Sequence, residues 1–182
     1  MRERLQSLMI AHGAAVFLVG LLAGFPFAFV LIQKIALWPV PGSIPVTPSP
    51  DASRAWRMAH MEGLLNGMLL IAVAAGLKRL VLSERALKLV AWGLVITAWG
   101  NELASLIGPI FGGRGLEFGA GVASNVMYLL FVAAILSVLT AMVLVCVGAA
   151  RAYRQGAVTP DGASKPADPH VPREETPRAG AA

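Results

Sequence analysis

A chain of 182 residues with a single cysteine, Cys146, can form neither an internal disulfide framework nor a cysteine-based zinc site. Cys146 lies inside the last apolar run and reads as packing. Charge is scarce too: Asp, Glu, Lys and Arg make up 14% of the sequence, well below the share in ordinary soluble domains. There is no H-E-x-x-H, no glycine-rich phosphate loop and no G-x-S-x-G, so zinc hydrolysis, nucleotide binding and α/β-hydrolase chemistry lack support. The first apolar run is too long for a signal-peptide core, and no A-x-A-like site closes it. It therefore reads as a retained membrane span.

What the sequence has in excess is apolar surface. Hydrophobic residues make up 57% and mean hydropathy is +0.69, which marks an integral membrane protein. Four stretches, near Leu8–Leu37, Met58–Leu77, Leu87–Phe111 and Ala120–Ala150, reach the roughly 20 residues a helix needs to cross the hydrocarbon layer. Lipid offers no partner for free backbone groups, so each must be helical. The expected architecture is all-α, a transmembrane four-helix bundle over residues 1–155. A tail follows over 156–182, whose proline-rich, apolar-poor composition predicts disorder, and His170 within it is set aside as a site.

The net charge of +5 is spread in short groups flanking the apolar runs rather than along one stripe, so the expected partner is a lipid bilayer and not nucleic acid. Arg2, Arg4, Lys78, Arg79, Arg85, Lys88, Arg151 and Arg154 fall on one side; Lys34, Arg54, Arg57 and Arg114 fall on the other. The richer side is expected to be cytoplasmic, with both termini inside. Trp38, Trp56 and Tyr153 then lie near the interfaces, where aromatic belts form. The first outer loop, WPVPGSIPVTPSPDASRAW, is too dense in proline to be helical throughout and predicts an ordered or semi-ordered cap.

Ionisable groups at lipid depth are costly and are usually functional or paired. His60, Glu62 and Asn66 occupy the outer half of the second span, and Asn101, Glu102 and Ser105 the outer half of the third. Ser124, Asn125 and Tyr128 lie where the fourth begins. Two readings stay open. In one, the asparagines are interhelical glue worth about 0.6–2 kcal/mol each, while Glu62 and Glu102 pair with Arg57 or Arg114; in the other, the layer is a site. His12 lies near the inner start of the first span, without polar neighbours at its level, and reads as structural. His60, inside the layer, is the candidate ligand. At about 100° per residue Glu62 and Asn66 share a face, whereas His60 and Asn66 diverge by about 120°. A site using both is distorted or shared between protomers. Gly20-x-x-x-Gly24 and Gly63-x-x-x-Gly67 permit close packing, within or between subunits.

These residues resemble a known family. AHG…F…GLLAGFPF in the first span, WRMAHMEGLLNG in the second, WGNELASLIGPIFGGRGLEFG from the third onward and SNVMYLLF in the fourth look like the membrane-bound styrene oxide isomerases over about Leu8 to Ala150. The most specific part is W-R-x-A-H with an asparagine six residues after the histidine. The resemblance implies a homotrimer of the bacterial inner membrane with heme b at each subunit interface. Ferric iron would act as a Lewis acid on an aryl epoxide such as styrene oxide, and ring opening with a 1,2-hydride shift would give the aldehyde, a Meinwald rearrangement. His60 matches the axial heme ligand, with Trp56 and Arg57 as cofactor-binding neighbours, and Asn66 matches a polar residue near the open iron position. Asn101, Ser105 and Tyr128 complete the implied catalytic set. One departure is present: the family tyrosine expected four residues after the asparagine of W-G-N is Ser105 here, which leaves Ser105 itself or Tyr128 as the candidate substitutes for its hydroxyl. A non-enzymatic heme-binding or heme-sensing protein on the same scaffold, and a structural or transport protein without heme, are the alternatives.

Overall fold

The structure, a computed structural model, describes residues 1–37, 39–47 and 49–157. Trp38, nearly all of the expected tail and His170 lie outside the described residues. Four helices form: α1 (Arg2–Ile32), α2 (Pro50–Gly76), α3 (Glu84–Phe111) and α4 (Val122–Ala157). All four are long and apolar enough to cross a membrane, and large apolar side chains such as Leu22, Phe25, Leu89, Leu129 and Leu136 stand on the outer surface. The chain is a multi-pass membrane protein.

The helix ends differ from expectation for local reasons. The first helix stops at Ile32 rather than near Leu37, because Gln33 takes a left-handed conformation (φ 56°) and its N–H turns back to the Phe29 carbonyl. A short antiparallel ribbon follows, β1 (Lys34–Ile35) with β2 (Ile44–Pro45), so the outer loop is ordered in part. The second helix begins eight residues before Met58. The Ser49 hydroxyl accepts from the Ala52 N–H at 3.2 Å, Pro50 sits where no N–H is needed, and Asp51 faces the positive end of the helix dipole. Ser83 caps α3 in the same way, through the Ala86 N–H at 3.3 Å.

The bundle is open. Helices α1, α2 and α3 pack on one another, while α4 lies chiefly along α3. Small residues set these approaches. A Cβ on Gly63 would run into Gly20 Cα, and one on Gly67 would come within 2.8 Å of the Gly13 carbonyl oxygen, so both expected glycine motifs serve packing within one chain. On the other flank, Gly93 and Gly100 admit α4 at Ala141 and Ala134, and the Thr97 hydroxyl donates to the Ala134 carbonyl at 3.1 Å. The apolar core, including Met9, Val16, Leu70, Leu87, Val90 and Leu94, fills the α1–α2–α3 centre.

The two ends are chemically distinct. At one, the Arg2 guanidinium donates to the carbonyls of Lys78 and Leu80 at 3.1 Å and of Leu82 at 3.4 Å, Lys78 pairs with Glu3 at 3.1 Å, and the Val81 N–H meets the Gly148 carbonyl. The start of α1, the α2–α3 turn and the last turns of α4 therefore share one side. At the other end Asp51 pairs with Arg54 and Arg114, each at 3.3 Å.

Candidate functional site

Helix α2 presents different chemistry to its two neighbours. Toward α1, His60 Nδ1 lies 2.8 Å from the Gly20 carbonyl oxygen. A carbonyl only accepts, so Nδ1 carries the proton and the neutral ring keeps its lone pair on Nε2. Nε2 has no hydrogen-bond partner among the described residues. The ring fits because position 24 is glycine: a Cβ there would come within 3.0 Å of Nδ1 and 3.1 Å of Cε1. Phe27 stacks at a tilt, its ring centre 6.1 Å away. Trp56 and Arg57 stand four and three residues before His60 and so share its face of α2. Trp56 is half-buried, and Arg57 is exposed with no ion pair among the described residues.

Toward α3, Asn66 is buried and its amide is fully used. Nδ2 donates to the Glu62 carbonyl at 2.9 Å and to Glu62 Oε2 at 2.7 Å, while Oδ1 accepts from Asn101 Nδ2 at 3.4 Å. This chain ends in an open cleft of about 390 Å³ between α2 and α4, lined by Glu62, Asn101 and Tyr128 among apolar residues that include Met58, Phe131 and Ile135. Gly115 and Leu116 of the α3–α4 connection close its outer edge. Gly115 has φ 63°, and a Cβ there would strike Met127, so this segment lies flat on α4 only as glycine. Phe118 props Tyr128, ring centres 6.0 Å apart.

The structure thus separates the expected residues. Glu62, Asn101 and Tyr128 meet in the cleft; Asn66 stands behind them as their link, and His60 lies on the opposite side of α2. Ser105 is buried and does not line the cleft, so of the two hydroxyls considered only Tyr128 faces it. Asn125 caps the loop instead, accepting from the Gly119 N–H at 2.6 Å. The suggested pairing of Glu62 or Glu102 with Arg57 or Arg114 does not form among the described residues: Arg114 is paired with Asp51, and Glu102 is fully buried with neither oxygen meeting a protein donor. Glu62, left open on sequence grounds, is the residue that the cleft adds; its spacing of four from Asn66 was the available signal.

His12 also departs from expectation. It has a polar partner, the Trp99 indole N–H at 3.0 Å from His12 Nδ1, with Trp92 alongside at 6.5 Å between ring centres. An indole only donates, so His12 accepts at Nδ1 and carries its proton on Nε2, the reverse of His60. Among the described residues no group of three or more His, Cys, Asp or Glu could hold a bare metal ion. A cofactor that brings most of its own ligands and needs one imidazole fits His60.

No curated protein matches the chain. The family model described as styrene oxide isomerase matches residues 5–150, most of the sequence and all four helices, and the chain therefore belongs to the styrene oxide isomerase family.

Proposed function

We propose that this protein is a heme-dependent epoxide isomerase that converts an aryl epoxide such as styrene oxide to the corresponding aldehyde. The observation that carries the reading is His60, a lone imidazole whose Nδ1 is fixed by the Gly20 carbonyl at 2.8 Å and whose Nε2 is free. A carbonyl that holds the far ring N–H in this way orients metal-bound histidines and raises their basicity. When bound, heme b would supply one open ferric position as a Lewis acid for the epoxide oxygen. Arg57, exposed on the same face of α2, suits a propionate.

The chain's own residues would do the rest. Asn101 and Tyr128 carry an amide and a phenol into the cleft, where they can orient an epoxide and donate to its oxygen as charge develops there. Met58, Phe131, Val132 and Ile135 keep water from the carbon that becomes electron-poor. As the C–O bond parts with its electron pair on oxygen, hydride moves from the neighbouring carbon with its own pair, and the oxygen lone pair closes the carbonyl. Since His60 and the cleft lie on opposite sides of α2, a cofactor held by one protomer would meet the cleft of the next. This supports a heme site shared between protomers, and the number of three is what the family resemblance implies. Positive residues at the end shared by the termini support cytoplasmic termini in a bacterial inner membrane.

The test is direct. Protein purified in detergent, supplied with hemin, is expected to show a Soret band and to turn styrene oxide into phenylacetaldehyde with retention of the migrating deuterium in a labelled substrate. Absence of the band after reconstitution would remove the heme reading. A band without turnover of any aryl epoxide would leave a heme-binding protein that is not this isomerase.

A further inference from the structure

The cleft between α2 and α4 is electrostatically one-sided. Glu62 brings a carboxylate to its wall with no cation within ion-pair distance among the described residues: Arg54 and Arg114 are both committed to Asp51, and Arg57, five residues before Glu62, stands on the His60 side of α2. Asn66 spends both amide hydrogens on Glu62, at 2.9 and 2.7 Å, which fixes the carboxylate and leaves Oε1 unused. Asn101 gives one of its two N–H groups to Asn66, so its Oδ1 remains an acceptor at the cleft beside the other N–H. Tyr128 and Phe131 add two aromatic rings, whose faces are negative. Acceptors and ring faces thus outnumber donors in a space of about 390 Å³, within the roughly 300–1,000 Å³ typical of small-molecule sites.

We propose that this cleft is a recognition site for positive charge carried on a small aryl group, with Glu62 as the counter-charge. The nature of the charge follows from the surroundings: a strongly hydrated inorganic cation would find too few oxygens to replace its water, whereas a diffuse organic cation keeps its apolar part against Met58, Val132 and Ile135. An aryl-ammonium ligand satisfies this chemistry. So does the ring-bearing carbon of an opening epoxide, and only that catalytic meaning rests on the isomerase reading above; the binding does not.

The probe is benzyltrimethylammonium, which can neither ligate iron nor donate a hydrogen bond, compared with its neutral isostere neopentylbenzene, both titrated into the full chain in uncharged detergent. The wild type is expected to bind the cation at least tenfold more tightly than the isostere. Glu62→Gln should abolish that preference, while Glu102→Gln, altering a carboxyl that does not line the cleft, should keep it. Val132→Lys places an ammonium in the lining that Glu62 shares and should abolish it as well, which serves if Glu62→Gln does not fold. Equal affinity for both probes in the wild type, or a preference that survives both cleft variants, would overturn the proposal. Cation preference without epoxide turnover would leave this site standing and remove the isomerase reading; turnover without preference would do the reverse.

Discussion

Asn66 Nδ2 lies 2.7 Å from Glu62 Oε2 and 2.9 Å from the carbonyl oxygen of the same residue, one helical turn away on α2. A single amide group therefore fixes both the carboxylate and the turn that carries it. With Asn101 Nδ2 on its own oxygen at 3.4 Å, Asn66 stands behind the lining of the cleft, and under the proposed reading it acts there by positioning Glu62 and Asn101. Asn66→Ala is expected to lower stability by about 1–2 kcal/mol, since it removes the hydrogen bonds to two half-buried partners. Loss of a residue that orients functional groups typically costs about 10–100-fold, so epoxide turnover should fall by at least about tenfold with heme still bound. Unfolding in mixed detergent and the Soret spectrum, measured together, check both parts.

The two intramembrane histidines hold opposite tautomers, and this gives a second prediction. His60 donates from Nδ1 to a carbonyl and keeps Nε2 for a ligand, whereas His12 accepts at Nδ1 from Trp99. Reconstituted His60→Ala is expected to lose the Soret band, and His12→Ala to retain it. His12→Ala should instead lose about 1 kcal/mol of stability with the Trp99 hydrogen bond, and retention of heme by His60→Ala would remove the ligand assignment.

Gly63 and Gly76 form a matched pair on one helix. A Cβ on Gly63 would strike Gly20 Cα and come within 2.7 Å of Glu102 Oε2, while one on Gly76 would meet nothing within 4 Å. Gly63→Ala is expected to destabilise by roughly 1–3 kcal/mol through overpacking. Gly76→Ala should be neutral or stabilising by up to about 1 kcal/mol, because alanine is the better helix former. Comparison of the two unfolding midpoints tests whether the α1–α2 crossing is the tight one.

Much of this was readable beforehand, for identifiable reasons. Lipid forces helices, so the four apolar runs fixed element number and order, and the rise per residue placed His60, Glu62, Asn66 and Asn101 at a common depth. The 100° rotation per residue likewise separated His60 from Asn66. The start of α2 was hidden because Ser49, Pro50 and Asp51 are at once turn formers and a good helix start; only the Ser49–Ala52 hydrogen bond decides between them. Which of Asn101 and Glu102 faces the cleft depends on α4 leaning chiefly on α3, and that follows from Gly93 and Gly100 meeting Ala141 and Ala134, a pairing no single-chain periodicity specifies. For the same reason Ser105, adjacent in pattern to Asn101, turned inward, and Tyr128 took the cleft.

Glu102 gives the last prediction. It is fully buried in the α1–α2–α3 core beside Gly63, and neither oxygen meets a protein donor among the described residues. A carboxyl in that setting has lost water without a replacement partner, a cost that an apolar side chain of similar length avoids. Glu102→Met is therefore expected to raise stability by about 1–3 kcal/mol, seen as a higher unfolding midpoint in detergent. Glu102→Ala separates charge from volume: it removes the same carboxyl but leaves a cavity, so it should fall below the methionine variant by about 1–3 kcal/mol. A Glu102→Met variant less stable than the wild type would overturn this reading and show that the carboxyl contributes more to the packed core than its burial costs.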